Sequence, residues 1–190
     1  WEDSSGVAGK VEGTNFTGSL LVGHSTTGTL SAAQYNTGVG ITALNSITSG
    51  DTNTAVGYDA GTAITSGLYN TAVGYGALIT ASTTSSNVAV GRNSLKLTTG
   101  TGNTGIGRDS GENVAAGNNN TCVGFHTGDN ITSGSGNVCI GMQADPSSAT
   151  GNNQLVIATY DGSSTTSWVT GDSSGNLTFA ADVHSVTIYF

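Results

Sequence analysis

Short apolar segments recur along this chain at a nearly constant spacing, separated by runs of Gly, Asn, Ser and Thr. The string Asn-Thr-Ala-Val-Gly-Tyr occurs at 53–58 and again at 70–75, and relaxed copies fill residues 19–158. Aligned on their glycine, the copies follow one another at 17-residue steps, with a single step of 16. The aligned positions are Gly23, Gly40, Gly57, Gly74, Gly91, Gly107, Gly124, Gly141 and Ala158. A fixed period of this kind predicts a solenoid with one coil per repeat.

Each repeat has a consistent order of residue types, which we number from Asn at position 1 to Gly at position 5. Position 4 is always Val or Ile, position 3 is small in most copies, and position 2 is Thr, Val or Leu. In an extended segment, positions 2 and 4 share one face, and β-branched residues favour strands. A second apolar column recurs about seven residues after the glycine, at Leu30, Ile47, Ile64, Ala81, Val114 and Ile131. The pattern predicts two short strands per coil, joined by Gly- and Asn-rich turns.

We therefore predict an all-β fold, a parallel β-solenoid or β-roll of about nine 17-residue coils, roughly 43 Å long at ~4.8 Å per coil. The position 4 side chains and the second apolar column are predicted to point inward, together with Thr at position 2. Residues 1–18 form a polar lead-in, 19–158 the solenoid, and 159–190 a C-terminal β segment with strands expected at 177–179 and 183–190.

The predicted core is thin. Each coil offers three or four sizeable apolar side chains, at ~1.5–3 kcal/mol each, against ordering 17 residues at ~1–2 kcal/mol each. Packing of several solenoids side by side supplies further burial, and the small residues at position 3 suit close approach between chains. We expect an obligate oligomer, a homotrimer.

Composition narrows the function. The 190 residues include 30 Gly, and only 8% are charged, with 4 Lys+Arg against 12 Asp+Glu. A net charge of −8 argues against nucleic acid, which needs a basic surface. No apolar run is long enough to insert into a membrane, and no signal peptide is visible. The chain begins at Trp1 rather than Met, and we expect it to be part of a longer protein.

The segment Asn70 to Leu78, Asn-Thr-Ala-Val-Gly-Tyr-Gly-Ala-Leu, resembles repeats of phage tail-fibre proteins. More distantly, it is similar to the Asn-Ser-Val-Ala-Ile-Gly repeat in the heads of trimeric autotransporter adhesins, whose repeat is shorter. The likeness covers about residues 19–158, and 151–157 resembles the sequence that closes such arrays in phage fibres. It implies a trimer of parallel β-rolls in a surface-exposed appendage, on a virion or otherwise outside the cell.

Catalytic and metal-binding patterns are weak. The three histidines, His24, His126 and His184, predict no metal site, and the Asp spacing does not match a calcium-binding roll. No cofactor and no enzyme activity are predicted. Cys122 and Cys139 lie one coil apart at position 3, where they are expected to replace Ala in a buried column rather than to form a disulfide.

Position 6 carries the candidate binding residues. Tyr58, Tyr75, Arg92, Arg108 and Phe125 follow one another in this column, beside Ile41 and Met142. An exposed row of aromatic and Arg side chains suits a host-surface glycan or receptor, and stacked Tyr58, Tyr75 and Arg92 are expected to make cation–π contacts. The alternative is that these rings pack at the edge of the coil or between chains.

These observations favour the structural shaft of a trimeric viral tail fibre or similar appendage that contributes to host attachment. Three alternatives remain. The first is a trimeric bacterial adhesin head. The second is an ice-binding solenoid, to which the Thr column at position 2 corresponds, although its Thr residues are expected to point inward and Val88 and Val138 interrupt it. The third, a glycan-degrading tailspike, needs paired acids in a groove, whereas the acids here are scattered on turns.

Overall fold

Twelve short β-strands form one sheet in the part of the chain that the structure describes, residues 9–11, 15–23 and 27–180. This computed structural model contains no helix within those residues. The strands β1 to β12 are Gly9–Val11, Leu20–Val22, Thr37–Val39, Thr54–Val56, Thr71–Val73, Val88–Val90, Thr104–Ile106, Thr121–Val123, Val138–Ile140, Leu155–Tyr160, Thr165–Gly171 and Leu177–Phe179.

Strands β2 to β10 are parallel, and each pairs with the next at the same repeat position. Thr54 pairs with Thr71, Ala55 with Ala72, and so on along the rod. Nine strands span eight steps of ~4.8 Å, roughly 38 Å in all. The predicted parallel β-solenoid with 17-residue spacing is confirmed.

The prediction of a second strand in each coil is wrong. The second apolar column is buried as expected, with Ile47, Val114 and Ile131 fully inaccessible, but the segments around it are turns. The chain approaches this column through left-handed residues: position 7 and, in most coils, position 9 have positive φ, as at Asn93 (φ 54°) and Leu95 (φ 48°). Left-handed residues interrupt the extended φ that a strand requires.

The predicted faces of the strand are also wrong. Position 3 points into the coil, where Ala55, Ala72 and Ala89 are completely buried, whereas positions 2 and 4 point outward. Space at position 3 is limited within the stack, where a Cβ added to Gly38 would lie 2.4 Å from the Leu21 side chain, whereas the end coils bury the larger Leu21 and Val156 at this position. The small residues therefore serve the core of the coil rather than the approach of another chain.

Two further columns, at positions 9 and 12, also point into the coil. In several coils a large side chain in one of these columns is paired with a small residue in the other. Position 9 is Leu in some coils and Gly in others. Leu78 shares its coil with the small Ala81 at position 12, and Gly61 shares its coil with the larger Ile64; all four are buried. The coil with Leu44 and Ile47 is an exception, because both of its side chains are large and buried. This complementarity fills a narrow interior without large voids.

The corner glycine at position 5 is required by both backbone conformation and space. Gly74 has φ 127°, and a Cβ added to it would lie 2.6 Å from the carbonyl oxygen of Gly91 in the next coil. An L-residue with a side chain is strained at this φ, and the neighbouring backbone leaves no room. The constancy of this glycine is therefore a consequence of coil stacking.

A ladder of buried asparagines at position 1 joins the coils. The Asn53 side-chain oxygen accepts hydrogen bonds from the Asn70 backbone N–H and the Asn70 Nδ2, both at 3.0 Å. Asn70 Nδ2 also donates to the Thr84 carbonyl at 2.8 Å. The ladder consists of Asn36, Asn53, Asn70, Asn87, Asn103, Asn120, Asn137 and finally Gln154. Because each amide is both buried and satisfied, the ladder fixes the register of neighbouring coils.

Antiparallel strands lie at both ends of the parallel stack. At the beginning, β1 pairs antiparallel with β2, and at the end β10 pairs antiparallel with β11, which pairs with β12. Trp168 on β11 donates from Nε1 to the Thr159 hydroxyl at 2.9 Å. The strand expected at 177–179 is confirmed as β12, and the one expected at 183–190 lies outside the described residues.

Candidate binding surface

The outward side of the parallel strands is a strip of β-branched side chains, which we call the Thr/Val face. It consists of positions 2 and 4 of strands β3 to β9. The position 2 residues are Thr37, Thr54, Thr71, Val88, Thr104, Thr121 and Val138, and the position 4 residues are Val39, Val56, Val73, Val90, Ile106, Val123 and Ile140.

The Thr/Val face is apolar, uncharged and half-exposed. Val56 is 38% exposed, Val90 37% and Ile106 42%, and no ionisable residue occurs at either position of the face. The strands beneath it are paired to their neighbours along the rod, so their backbone groups are satisfied within the sheet. What the face offers to a partner is therefore shape and methyl groups, with a column of hydroxyls.

The position 6 column lies next to this face, beyond the corner glycine. Tyr58 and Tyr75 stack on each other, with ring centroids 5.5 Å apart and planes 9° apart, and the two residues are 47% and 53% exposed. Each ring thus covers one face of the other. The stacking column expected from the sequence exists for these two residues, and it leaves their edges to solvent.

Arg92 and Arg108, the next members of the column, meet at one buried carboxylate. Arg108 Nε lies 2.7 Å and Arg92 Nη2 3.2 Å from Asp109 Oδ2, while Asn93 Nδ2 donates to Oδ1 at 3.0 Å. The Asp109 side chain is only 2% exposed, whereas those of the two arginines are half-exposed. The carboxylate therefore holds guanidinium groups from two neighbouring coils side by side.

A cation–π contact forms in this column between Arg108 and Phe125, rather than at the Tyr58, Tyr75 and Arg92 positions for which the sequence predicts it. The guanidinium carbon lies 4.3 Å from the centre of the Phe125 ring. The His126 ring meets the Phe125 ring edge-on at 4.4 Å, and its Nε2 lies 3.5 Å from Asp109 Oδ2. The five predicted residues therefore form two groups, a tyrosine pair and an Arg–Arg–Phe group.

Asp109 and His126 were missed as members of this group by the sequence reasoning. Both occupy position 7, which has positive φ in every described coil from 42 to 143, a conformation in which Asp, Asn and His are enriched. Gly76 and Asn93 at the same position fit this preference, whereas the β-branched Thr42, with φ 63°, is an exception to it. The signal in the sequence that could have identified this group was the acidic residue Asp109 at position 7, in the column next to the two consecutive arginines at position 6.

Burial raises the Asp109 pKa, but hydrogen bonds from Arg108 and Asn93, with the Arg92 and His126 charges, outweigh burial and leave the pKa below its ordinary value. Two coils further on, the pKa of Asp145 is shifted in the opposite direction. Burial, and then the charge of Asp129, raise the Asp145 pKa to about 6.

The cysteines occupy the buried position 3 column as expected. Cys122 and Cys139 are register partners in neighbouring strands, and both are free thiols. Their hydrogen bond, followed by burial, raises the pKa of the Cys122 thiol. Both residues are thus packed as small core residues.

Within the described ranges, no three His, Cys, Asp or Glu side chains come close enough together to hold a metal ion. Residues 9–11, 15–23 and 27–180 also include no helix with the length and apolarity needed to cross a bilayer. Comparisons of the chain with protein-family models, with curated proteins and with solved structures found no match.

Proposed function

We propose that this chain is a segment of the shaft of a trimeric surface appendage, such as a viral tail fibre, and that three copies pack together through their Thr/Val faces. The observation that carries the proposal is the continuous outward column of Val and Ile at position 4. Contiguous exposed apolar surface marks an interaction site in a soluble protein. The resemblance of the repeat to trimeric fibres supports three as the number of chains.

The geometry suits a rigid spacer. Each coil adds a constant rise, and the asparagine ladder fixes the register of neighbouring coils. Antiparallel strands lie at both ends of the parallel stack. An uncharged strip running the length of the rod allows identical chains to lie alongside one another without charge repulsion. The position 6 column then lies at the rim of the contact, where it contributes to attachment.

The test is the solution mass from light scattering, with unboiled and boiled samples on a denaturing gel. The proposal predicts a mass of three chains and a band that resists detergent until boiling. A stable monomer at micromolar concentration would contradict it.

A second candidate, an ice-binding solenoid, is favoured by one observation. The position 2 threonines point outward, opposite to the sequence expectation, so Thr37, Thr54 and Thr71 stand in one in-register row on the sheet beside the valines. Regularly spaced hydroxyl and methyl groups in such a row can order water. The same mass measurement separates the two candidates, because an ice-binding face must be free.

Thermal hysteresis is the direct measurement for this second candidate. A monomer with hysteresis that is lost in the variant Thr71→Tyr, which breaks the row, would support ice binding. A trimer without hysteresis supports the shaft. Thr62, a half-exposed threonine outside the strands, provides the matched control Thr62→Tyr.

A further inference from the structure

The Arg–Arg–Phe group of the position 6 column is built differently from the rest of the surface. The chain has a net charge of −8 and only four Lys and Arg residues, yet two of these stand in consecutive coils around one carboxylate. A surface salt bridge adds little stability by itself. Burial of Asp109, with Asn93 bound to its other oxygen, makes it a fixed support for the two guanidinium groups instead.

The contacts with Asp109 leave several N–H donors of the two half-exposed guanidinium groups without a partner among the described residues. Among the hydrogen bonds of the described residues, Arg92 uses Nη2 for Asp109, and Arg108 uses Nε, with Nη2 lying 3.5 Å from the His126 ring nitrogen. A guanidinium carries five N–H donors in a planar fork that matches a carboxylate. Half-exposed side chains with unused donors are suited to an anionic ligand.

Phe125 orients the second guanidinium. Its ring lies under Arg108 at 4.3 Å, and the His126 ring packs edge-on against it, so the stack restricts the arginine from below while Asp109 holds it from the side. Tyr75 precedes Arg92 in the same column and is 53% exposed. The two arginines are therefore bounded by aromatic rings along the rod.

We propose that this group, Arg92, Arg108 and Phe125 held by Asp109, binds an acidic saccharide through its carboxylate. The guanidinium pair binds the carboxylate through the N–H donors that Asp109 leaves unused. Asp109 is a positioning residue that touches the arginines and not the ligand. The inference rests on the proposed role in surface attachment and names the ligand class at that surface.

The first measurement is calorimetric titration with an oligogalacturonate tetramer, compared with a neutral galactose oligomer of the same length. We expect binding of the acidic oligomer that weakens as salt is raised, and no binding of the neutral one. Equal binding of the two oligomers, or binding of neither, would overturn the proposal.

Variants locate the site. We expect Arg92→Gln and Arg108→Gln each to weaken binding about tenfold, the loss of a charge-assisted hydrogen bond. The matched control is Lys96→Gln, which removes the same charge from a lysine paired with Glu112, and it should leave affinity within about twofold. A loss in Lys96→Gln as large as in the arginine variants would mean that only overall charge matters.

Asp109→Asn tests the positioning role. This variant keeps the shape of the side chain but removes the charge that holds the arginines. Affinity for the acidic oligomer should therefore fall, although the net charge of the chain becomes less negative. A gain in affinity would show simple charge attraction. Binding of a glutamate oligomer with the same affinity and the same dependence on Arg108 would overturn the saccharide assignment in favour of an acidic peptide.

The solution mass of every variant is recorded beside its affinity. A monomeric wild-type chain that still binds the acidic oligomer would remove the shaft and leave the saccharide site. A trimer that binds neither oligomer would do the opposite, so the two proposals fail separately.

Discussion

The two sides of each three-residue strand are opposite in character. Inward, Ala72 is fully buried beside the asparagine ladder, in a space filled by its own coil and the neighbouring coils. Outward, Thr71 and Val73 are half-exposed on the Thr/Val face. The inner side is complete within one chain, whereas the outer side has the β-branched composition of a core and lacks a cover. We therefore expect folding of the coil to depend on the inner side and the proposed assembly on the outer side.

The largest effect is expected from charges on the outer side. Val56→Lys combined with Val90→Lys places two ammonium groups per chain inside the proposed contact, where an unpaired ion costs several kcal/mol. Light scattering should show the mass falling from three chains to one, while far-ultraviolet circular dichroism keeps the wild-type spectrum. The control Leu97→Lys changes a side chain that is 42% exposed and outside the face, and it should remain trimeric.

A mass of three chains in the double variant, with the wild-type spectrum, would show that the Thr/Val face is not the contact. A loss of mass in Leu97→Lys as well would attribute the effect to charge in general.

The inner side is tested by Asn70→Ala. Removing this amide leaves the Asn87 N–H and the Thr84 carbonyl without their partners in the ladder, which costs about 3 kcal/mol in the free energy of unfolding. Urea denaturation measures this change in the free energy of unfolding. The control Asn45→Ala, at a half-buried turn residue outside the ladder, should change the free energy by less than about 0.5 kcal/mol. Equal effects would contradict the role of the ladder.

The smallest effect is a pH dependence at the last coil. Asp145 has a pKa of about 6, above the ordinary value of a carboxyl, so the folded state holds a proton that the unfolded state has released. This group therefore contributes most stability below about pH 4, and the contribution is lost as the pH rises through 6. Because Asp145 is partly exposed, we expect less than about 1 kcal/mol.

Asp145→Asn should remove that dependence between pH 4 and 7, as measured by urea denaturation at each pH. Asp109 has the opposite sign, since its pKa is lowered and its stabilisation is lost only as the solution becomes more acidic than the ordinary carboxyl range. An unchanged pH profile in Asp145→Asn would contradict the role of Asp145.

The period of the sequence was sufficient to predict the solenoid, its parallel strands and its 17-residue step, because identical positions must stack. It was not sufficient to orient the strand. Alternation places Ala72 and Val73 on opposite sides but does not say which side is inside, and hydrophobicity alone favoured Val73. The missing information was the direction in which the coil closes, which depends on the left-handed Leu78 and the corner Gly74 and which the alternation alone does not reveal.

The position 6 column was predicted by its spacing, and the stacking of Tyr58 on Tyr75 follows from one ring per coil. The group around Asp109 was not predicted as a group. Its position 7 residues look like turn residues, since the left-handed backbone selects Asp and His for reasons unrelated to binding. Only the geometry shows Asp109 between Arg92 and Arg108.

The most direct test of the account is the solvent access of the outer side in the assembled protein. Val56 and Leu97 are 38% and 42% exposed in the isolated chain, so single variants Val56→Cys and Leu97→Cys form a matched pair. The native thiols, Cys122 and Cys139, are fully buried and give little background. With a polymer-linked maleimide, the account predicts that cysteine at position 56 reacts at least about tenfold more slowly than at 97, because three Thr/Val faces cover each other. Equal rates at the two positions would contradict it.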